Sequence, residues 1–404
     1  MRTILHSDLN SFYASVEIRD NPELARHSVA VCGSVEERAG IVLAKNELAK
    51  SYGVKTDEAI WQAKQKCPGL VVVSPHYDKY LKVSREAREI YEQYTDVIEP
   101  FGIDEAWLDV TGSRRLFGDG LTIAERIREE IREKLKVTVS VGVSFNKVFA
   151  KLGSDMKKPD ATTVIARQDF RDTVWQLPAS DLLGVGPATR KKLSRYAINT
   201  IGRLAETDPE FLRRQLGVVG VYLWRAANGM DTSPVTHKDY RREIKSVGNS
   251  TTTIRDLCND GEVWRVMLEL AGEVSRRMRV EKLQACGVQI SIKDCEFGYK
   301  ELQAPLELPS RCALSLARAG MKLFREFYHW EREIRSIGIR AIRLAHDDEC
   351  GQTTIFMDPT RQEQMEALEA TVDKLGERYG KGIVRPASLF IPTYSTKHII
   401  GRIL

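Results

Sequence analysis

The sequence predicts a multidomain α/β protein (α+β in its sheet pairing), and three observations carry that expectation. Short apolar runs alternate with helical patterns up to about Pro159. Residues 166–230 then read as short helices punctuated by glycine, with no strand of good length. From 246 to 345 the order is strand, helix, two strands, helix, strand, which is a second small α/β sandwich.

The elements follow in order. TILH (3–6) is a strand that ends at Asp8, and a helical stretch runs from Ser11 to Arg19. SVAVC (28–32) and GIVLA (40–44) are further strands, and a helix covers about Tyr77–Tyr94. VIEPF (97–101) and EAWLDV (105–110) form a hairpin turning near Gly102. Ile123, Ile127, Ile131 and Leu135 recur every four positions, the mark of an amphipathic helix. VTVSVGV (137–143) alternates as a strand. This order predicts a largely antiparallel sheet with helices over one face. The polar, proline-containing stretch TSPVTHKDYRREIK (232–245) has no hydrophobic period and reads as a tether. In the second sandwich the helices fall at about Gly261–Arg279 and Pro309–Phe327, and the last strand at 334–344.

Composition narrows the function classes. Of 404 residues, 42% are hydrophobic and 29% charged, an ordinary globular balance. No apolar run approaches the roughly 18–20 residues of a membrane span, and the start, MRTILHSDLN, lacks a secretory signal. Seven unclustered cysteines point to reduced thiols in a cytoplasmic protein, and the histidines lack zinc-ligand spacing. Net charge is +5, and residues 241–345, with about 19 Lys/Arg against about 14 Asp/Glu, account for it.

The chemistry lies in three carboxylates. Asp8 closes the first strand, while Asp104 and Glu105 stand where the hairpin at Gly102 returns to the sheet. Strand ends and hairpin tips on adjacent strands bring such groups within a few ångströms. Hard oxygen ligands of this kind suit Mg²⁺ or Mn²⁺, and without cations the cluster repels itself. Farther on, LLGVGPATRKKL (182–193) fits a helix–hairpin–helix. Gly184 and Gly186 let backbone N–H groups approach a phosphate, and Arg190, Lys191 and Lys192 supply charge. LGVVGVYL (216–223) is a degenerate second copy. In IRAIRL (339–344), Arg340 and Arg343 are placed to meet backbone phosphates.

HSDLNSFYASVE (6–17), IEPFGIDEAWLDV (98–110) and SVGVSFNKVFAKLGSDMKKP (140–159) resemble three motifs of the Y-family DNA polymerases, in the DNA polymerase IV (DinB-type) branch. Order and spacing agree from Met1 to about Ala345. The resemblance implies a right-hand polymerase: palm at 1–10 and 77–165, fingers at 11–76, thumb at 166–231 and linker at 232–245. A little finger follows at 246–345 and a tail at 346–404. It implies low-fidelity, template-directed translesion synthesis with two Mg²⁺ ions on Asp8, Asp104, Glu105 and the Leu9 carbonyl, Mn²⁺ being an alternative. It also implies that Tyr13 is a steric gate against a ribose 2′-OH, that Phe12 packs beneath the sugar, and that Lys50 and Lys158 contact the triphosphate. Partners would be primer–template DNA, deoxynucleoside triphosphates and, through QTTIF (352–356) with Gln352, Ile355 and Phe356, a sliding clamp. The protein would act as a monomer, with no membrane partner.

Several positions depart from the family pattern. Lys50 replaces arginine and loses its bidentate fork. Glu47 stands where many relatives carry a tyrosine that contacts triphosphate, so it turns away or pairs with Lys45 or Lys50. Ala44, Leu43, Gly102 and Asn10 are further departures, and none removes a catalytic carboxylate. Two other readings compete. A nucleotidyl cyclase also uses paired carboxylates but has no need of a duplex cradle. A catalytically silent DNA- and clamp-binding relative would hold primer–template without extending it.

Overall fold

The structure, a computed structural model, describes residues 2–34, 40–346, 359–380 and 382–389. The clamp-peptide residues Gln352, Ile355 and Phe356 lie outside these. The chain forms two compact units that meet in sequence at Arg241/Arg242.

The first unit begins β1 (Ile4–Leu9), α1 (Phe12–Asp20), β2 (Val29–Cys32), β3 (Val42–Lys45), α2 (Glu47–Ser51), α3 (Ile60–Lys66) and β4 (Val71–Val73). It continues through α4 (Tyr77–Glu92), β5 (Ile98–Pro100), β6 (Glu105–Asp109), α5 (Arg114–Phe117) and α6 (Gly120–Glu130). Then come β7 (Val139–Ser144), α7 (Lys147–Met156) and β8 (Thr162–Ile165). Five short helices complete it: α8 (Phe170–Val174), α9 (Pro187–Ser194), α10 (Ile201–Glu206), α11 (Pro209–Leu216) and α12 (Val218–Ala227).

The main sheet has the order β5-β6-β1-β7-β8, antiparallel except for the β7–β8 pair. Alternate residues of β1 serve opposite faces. Leu5 and Leu9 enter a core with α1, α4 and α6, whereas Ile4, His6 and Asp8 face α7. Helices therefore cover both faces, not the single face expected from the sequence. The reason is glycine at the contact. A Cβ on Gly142 of β7 would stand 1.9 Å from the Ala150 carbonyl oxygen and 2.5 Å from the Ser154 nitrogen, so α7 lies directly on the strand.

The isoleucine repeat behaves in an instructive way. A strict four-residue repeat drifts off one face of a 3.6-residue helix. Here α6 passes into a π-helical turn at Ile131–Leu135, whose wider turn takes up the drift. All four apolar side chains stay buried.

A three-stranded sheet, β3-β2-β4, packs α2 and α3 over a small core of Ala30, Val42, Ala49, Ile60 and Ala63. Asn46 ties it together. Its Oδ1 accepts from the backbone N–H of both Val29 and Ala49, each at 3.0 Å, capping α2.

Of the stretch 232–245, read as a tether, residues 232–238 are bound to the first unit. Arg2 donates to the Thr232 and Ser233 carbonyls at 3.4 and 2.9 Å. Lys238 Nζ donates to Glu92 at 2.7 Å, and Val235 is buried against Ile4, Trp107 and Ala150. A polar sequence can be held by ion pairs without any hydrophobic period.

The second unit runs β9 (Ser246–Leu257), α13 (Asp260–Val280), β10 (Leu283–Asp294), β11 (Tyr299–Ser310), α14 (Ala313–Phe327), β12 (Ile334–His346) and α15 (Pro359–Tyr379). The antiparallel order is β11-β10-β12-β9, with α13 and α14 over one face. Helix α14 starts later than expected, because β11 continues through Pro309 to Ser310. As an edge strand it tolerates a missing N–H. Helix α15 docks through acids: Glu366 pairs with Arg311 at 2.9 Å, and Glu369 and Asp373 with Arg279 at 2.6 and 2.7 Å. Glu369 also accepts from the Ala313 N–H at 3.0 Å, capping α14, whose own N-cap Cys312 supplies no side-chain bond to the helix.

Candidate active site

The β1–β6 register sets Asp8 directly across from Glu105, and the Leu9 N–H bonds the Asp104 carbonyl at 3.1 Å. Gly102 takes φ +86 at the tip of the hairpin, a conformation glycine adopts without strain. The Asp8 and Glu105 carboxylates and His6 Nε2 all lie within 4.8 Å of one another. Asp104 stands outside that trio. Burial, and then the Asp8 and Glu105 charges, push its carboxyl up to about 7.

Two lysines balance the carboxylates. Lys151 Nζ of α7 is 3.0 Å from Asp8 Oδ2 and 3.0 Å from Glu105 Oε2. Lys158 Nζ is 2.7 Å from Asp8 Oδ2 and 2.8 Å from Asp155. Burial works against the charge on each lysine, but the carboxylates outweigh it and hold both above the usual lysine range. Sequence reasoning missed Lys151 and His6. Both left a signal: Lys147, Lys151 and Asp155 recur on one face of a helix, and His6 precedes Asp8 by two in a strand.

The His6 ring reports on the site's polarity. Ser154 gives its hydroxyl proton to the Lys151 carbonyl at 2.8 Å, so His6 Nδ1, 2.8 Å from Ser154 Oγ, is the donor of that pair. Nε2 is then left with a buried lone pair that no donor satisfies, 3.3 Å from Glu105 Oε2. Burial, then Lys151, lowers the His6 pKa to about 3, so the ring stays neutral. Buried lone pairs, hard carboxylate oxygens and an Asp104 short of positive charge make a donor set that fits divalent cations.

Tyr13 stacks on Tyr80, rings 9° apart with centroids at 4.3 Å. Tyr80 donates its hydroxyl to Glu17 at 2.5 Å, and Glu17 also meets His76 Nδ1 at 2.9 Å. Burial, then Tyr77 and Asp104, push the Tyr13 phenol up to about 12. Tyr13 is half-buried. Phe12 is only 3% exposed and packs in the core against Tyr80.

The remaining predicted residues lie on other elements of the two units. Lys50 of α2 pairs with Glu47 at 2.6 Å. Gly184 takes φ +96 and Gly186 precedes α9, on which Arg190, Lys191 and Lys192 are exposed. The element before that turn is one 3-10 turn, Ala179–Asp181, instead of a full helix. The degenerate copy is better formed, with α11 and α12 joined at Gly217. Arg340 and Arg343 are both exposed on β12; their spacing of three puts them on opposite faces of a regular strand, but φ +53 at Arg343 interrupts the alternation.

Comparison with known sequences matches residues 7–155 to the impB/mucB/samB family and residues 244–355 to that family's C-terminal domain. The chain is 51% identical over 384 residues to a DNA polymerase IV of Acetivibrio thermocellus, covering 95% of this chain and 96% of that one. The chain belongs to this family, the Y-family DNA polymerases, in the DNA polymerase IV branch. The polymerase is also 35% identical over 385 residues to DNA polymerase IV 1 of Bacillus subtilis, covering 95% and 92% of the two chains. A solved Y-family DNA polymerase chimera shares its fold with a TM-score of 0.75 at 23% identity, over 85% of this chain and 99% of that one. The fold is the multidomain right hand of palm, fingers, thumb and little finger. No helix among the described residues is long and apolar enough to cross a membrane.

Proposed function

We propose that this translesion DNA polymerase uses Asp8, Asp104, Glu105 and the Leu9 carbonyl to hold two divalent ions, Mg²⁺ by preference and Mn²⁺ as a substitute. The observation that carries the reading is the facing of Asp8 and Glu105 across β1–β6, with one lysine shared between them. Bound there, the ions would lower the pKa of the primer 3′-OH and stabilise the departing pyrophosphate. The 3′-OH attacks the α-phosphate of the deoxynucleoside triphosphate without a covalent enzyme intermediate.

The chain's own groups position the reactants. Lys158 and Lys50 hold triphosphate oxygens. Tyr13, braced by the Tyr80 stack, stands against a 2′-OH, and Phe12 packs beneath the sugar. Gly184, Gly186, Arg190, Lys191 and Lys192 of the thumb and Arg340 and Arg343 of the little finger grip duplex phosphates without reading sequence. The domain limits are those expected from the sequence. Gln352, Ile355 and Phe356 recruit a sliding clamp to a monomeric, cytoplasmic enzyme.

Primer extension with purified protein, Mg²⁺ and four deoxynucleotides tests this, beside an Asp8→Ala/Asp104→Ala control. Short extension that disappears in the control supports the assignment. Extension that persists in the control sinks it, and tight primer–template binding with no extension marks the silent relative.

A further inference from the structure

A carboxylate already occupies the lysine that the fingers offer to the nucleotide. Glu47 Oε1 accepts from Lys50 Nζ at 2.6 Å and from Ser11 Oγ at 3.1 Å. Ser11 lies in the turn that leads from Asp8 into α1, three residues past Asp8, with a left-handed backbone of φ 47. Glu47 therefore links α2 of the small sheet to the end of the catalytic strand. Lys45 and Lys50 both interact with its charge. Lys45, whose Nζ donates to Thr56 at 2.8 Å, has its pKa lowered by burial first and by Lys50 second, with Glu47 opposing both.

We infer that Glu47 is a resident counter-ion for Lys50, exchanged for the triphosphate when a nucleotide binds, and that it thereby sets nucleotide affinity. The inference rests on the reading of Lys50 as a triphosphate contact. Two anions cannot share that ammonium at full strength, so binding has to break the Glu47–Lys50 pair and leave a carboxylate beside a polyanion. Both side chains are part-exposed, 36% for Lys50 and 49% for Glu47, which keeps the exchange modest in size. Glu47 touches no reacting atom and acts through Lys50, so it is a positioning residue. Its signature is a shift in KM with kcat held, the mark of uniform binding.

The test is single-nucleotide insertion on a primer–template with Mg²⁺, comparing the full-length protein with Glu47→Gln, Lys50→Ala and the double variant. Thermal melts show whether each variant folds. Glutamine keeps the shape and an acceptor for Ser11 but loses the charge. KM for the deoxynucleotide is expected to fall about two- to fivefold in Glu47→Gln, the scale of a part-exposed ion pair. Lys50→Ala raises KM, and the Glu47 effect vanishes in its background. A Glu47→Gln KM that is unchanged or raised, while Lys50→Ala raises KM, overturns the inference and leaves Lys50 standing. If Lys50→Ala leaves KM unchanged, the triphosphate role of Lys50 fails and the inference falls with it.

Discussion

Asp8 and Glu105 face one another across two antiparallel strands, and a single ammonium, Lys151 Nζ, stands 3.0 Å from an oxygen of each. Their side chains are 6% and 19% exposed, too buried for water to screen the repulsion between them. The lysine bridges the two carboxylates at the place proposed to seat the metal ions.

Replacing either carboxylate removes that seat. Asp8→Ala and Glu105→Ala are each expected to lower the extension rate about a hundredfold or more, with folding preserved. Chelation of divalent metal should abolish extension in the unmodified protein, and Mg²⁺ or Mn²⁺ should restore it. Rates and melting curves on the same preparations check both.

Lys151→Ala leaves buried carboxylates without their shared partner. A loss of about 1–3 kcal/mol in stability is expected in the absence of divalent metal. Mg²⁺ should raise the melting temperature more in this variant than in the unmodified chain, since the ion takes over the lost neutralisation. An equal Mg²⁺ response in both proteins would show that Lys151 and the metal answer to different groups.

Gly142→Ala puts a methyl group into the backbone of α7, which cannot turn aside as a side chain can. Destabilisation of about 3 kcal/mol is expected, read from denaturant midpoints. Helix α7 carries Lys151, so extension should drop as well.

Tyr13→Ala opens the space against the sugar. Ribonucleotide incorporation relative to deoxynucleotide is expected to rise about ten- to a hundredfold, the usual yield of a steric contact. Competitive insertion assays measure the ratio directly.

Glu369→Ala removes the cap that α15 provides for α14, along with the partner of Arg279. The second unit should lose about 1–2 kcal/mol, and the loss should shrink at high salt as the ion pairs are screened. Melting at two ionic strengths tests it.

Part of this protein is written locally. Alternation in TILHSDL and in VTVSVGV specifies strands, and the hairpin at Gly102 follows from a glycine between two β-rich runs. Those features place Asp8 and the Asp104–Glu105 pair at adjacent strand ends, and the β1–β6 register sets Asp8 across from Glu105. The three motifs carried the family, and the comparisons bear that out.

The rest depends on contacts between residues far apart in the chain. Lys151 reaches Asp8 across 143 positions because Gly142 lets α7 settle on β7, and no local period announces that approach. Phe12, alike in kind to Tyr13, is turned into the core by the helical rotation of one residue. The start of the polar 232–245 stretch is held by Arg2 and Glu92, which only the folded sheet brings beside it. Sequence determined the elements and the carboxylates, because those follow from backbone period and turn chemistry. Tertiary structure alone decided which charges meet, because ion pairs form wherever packing sets the side chains down.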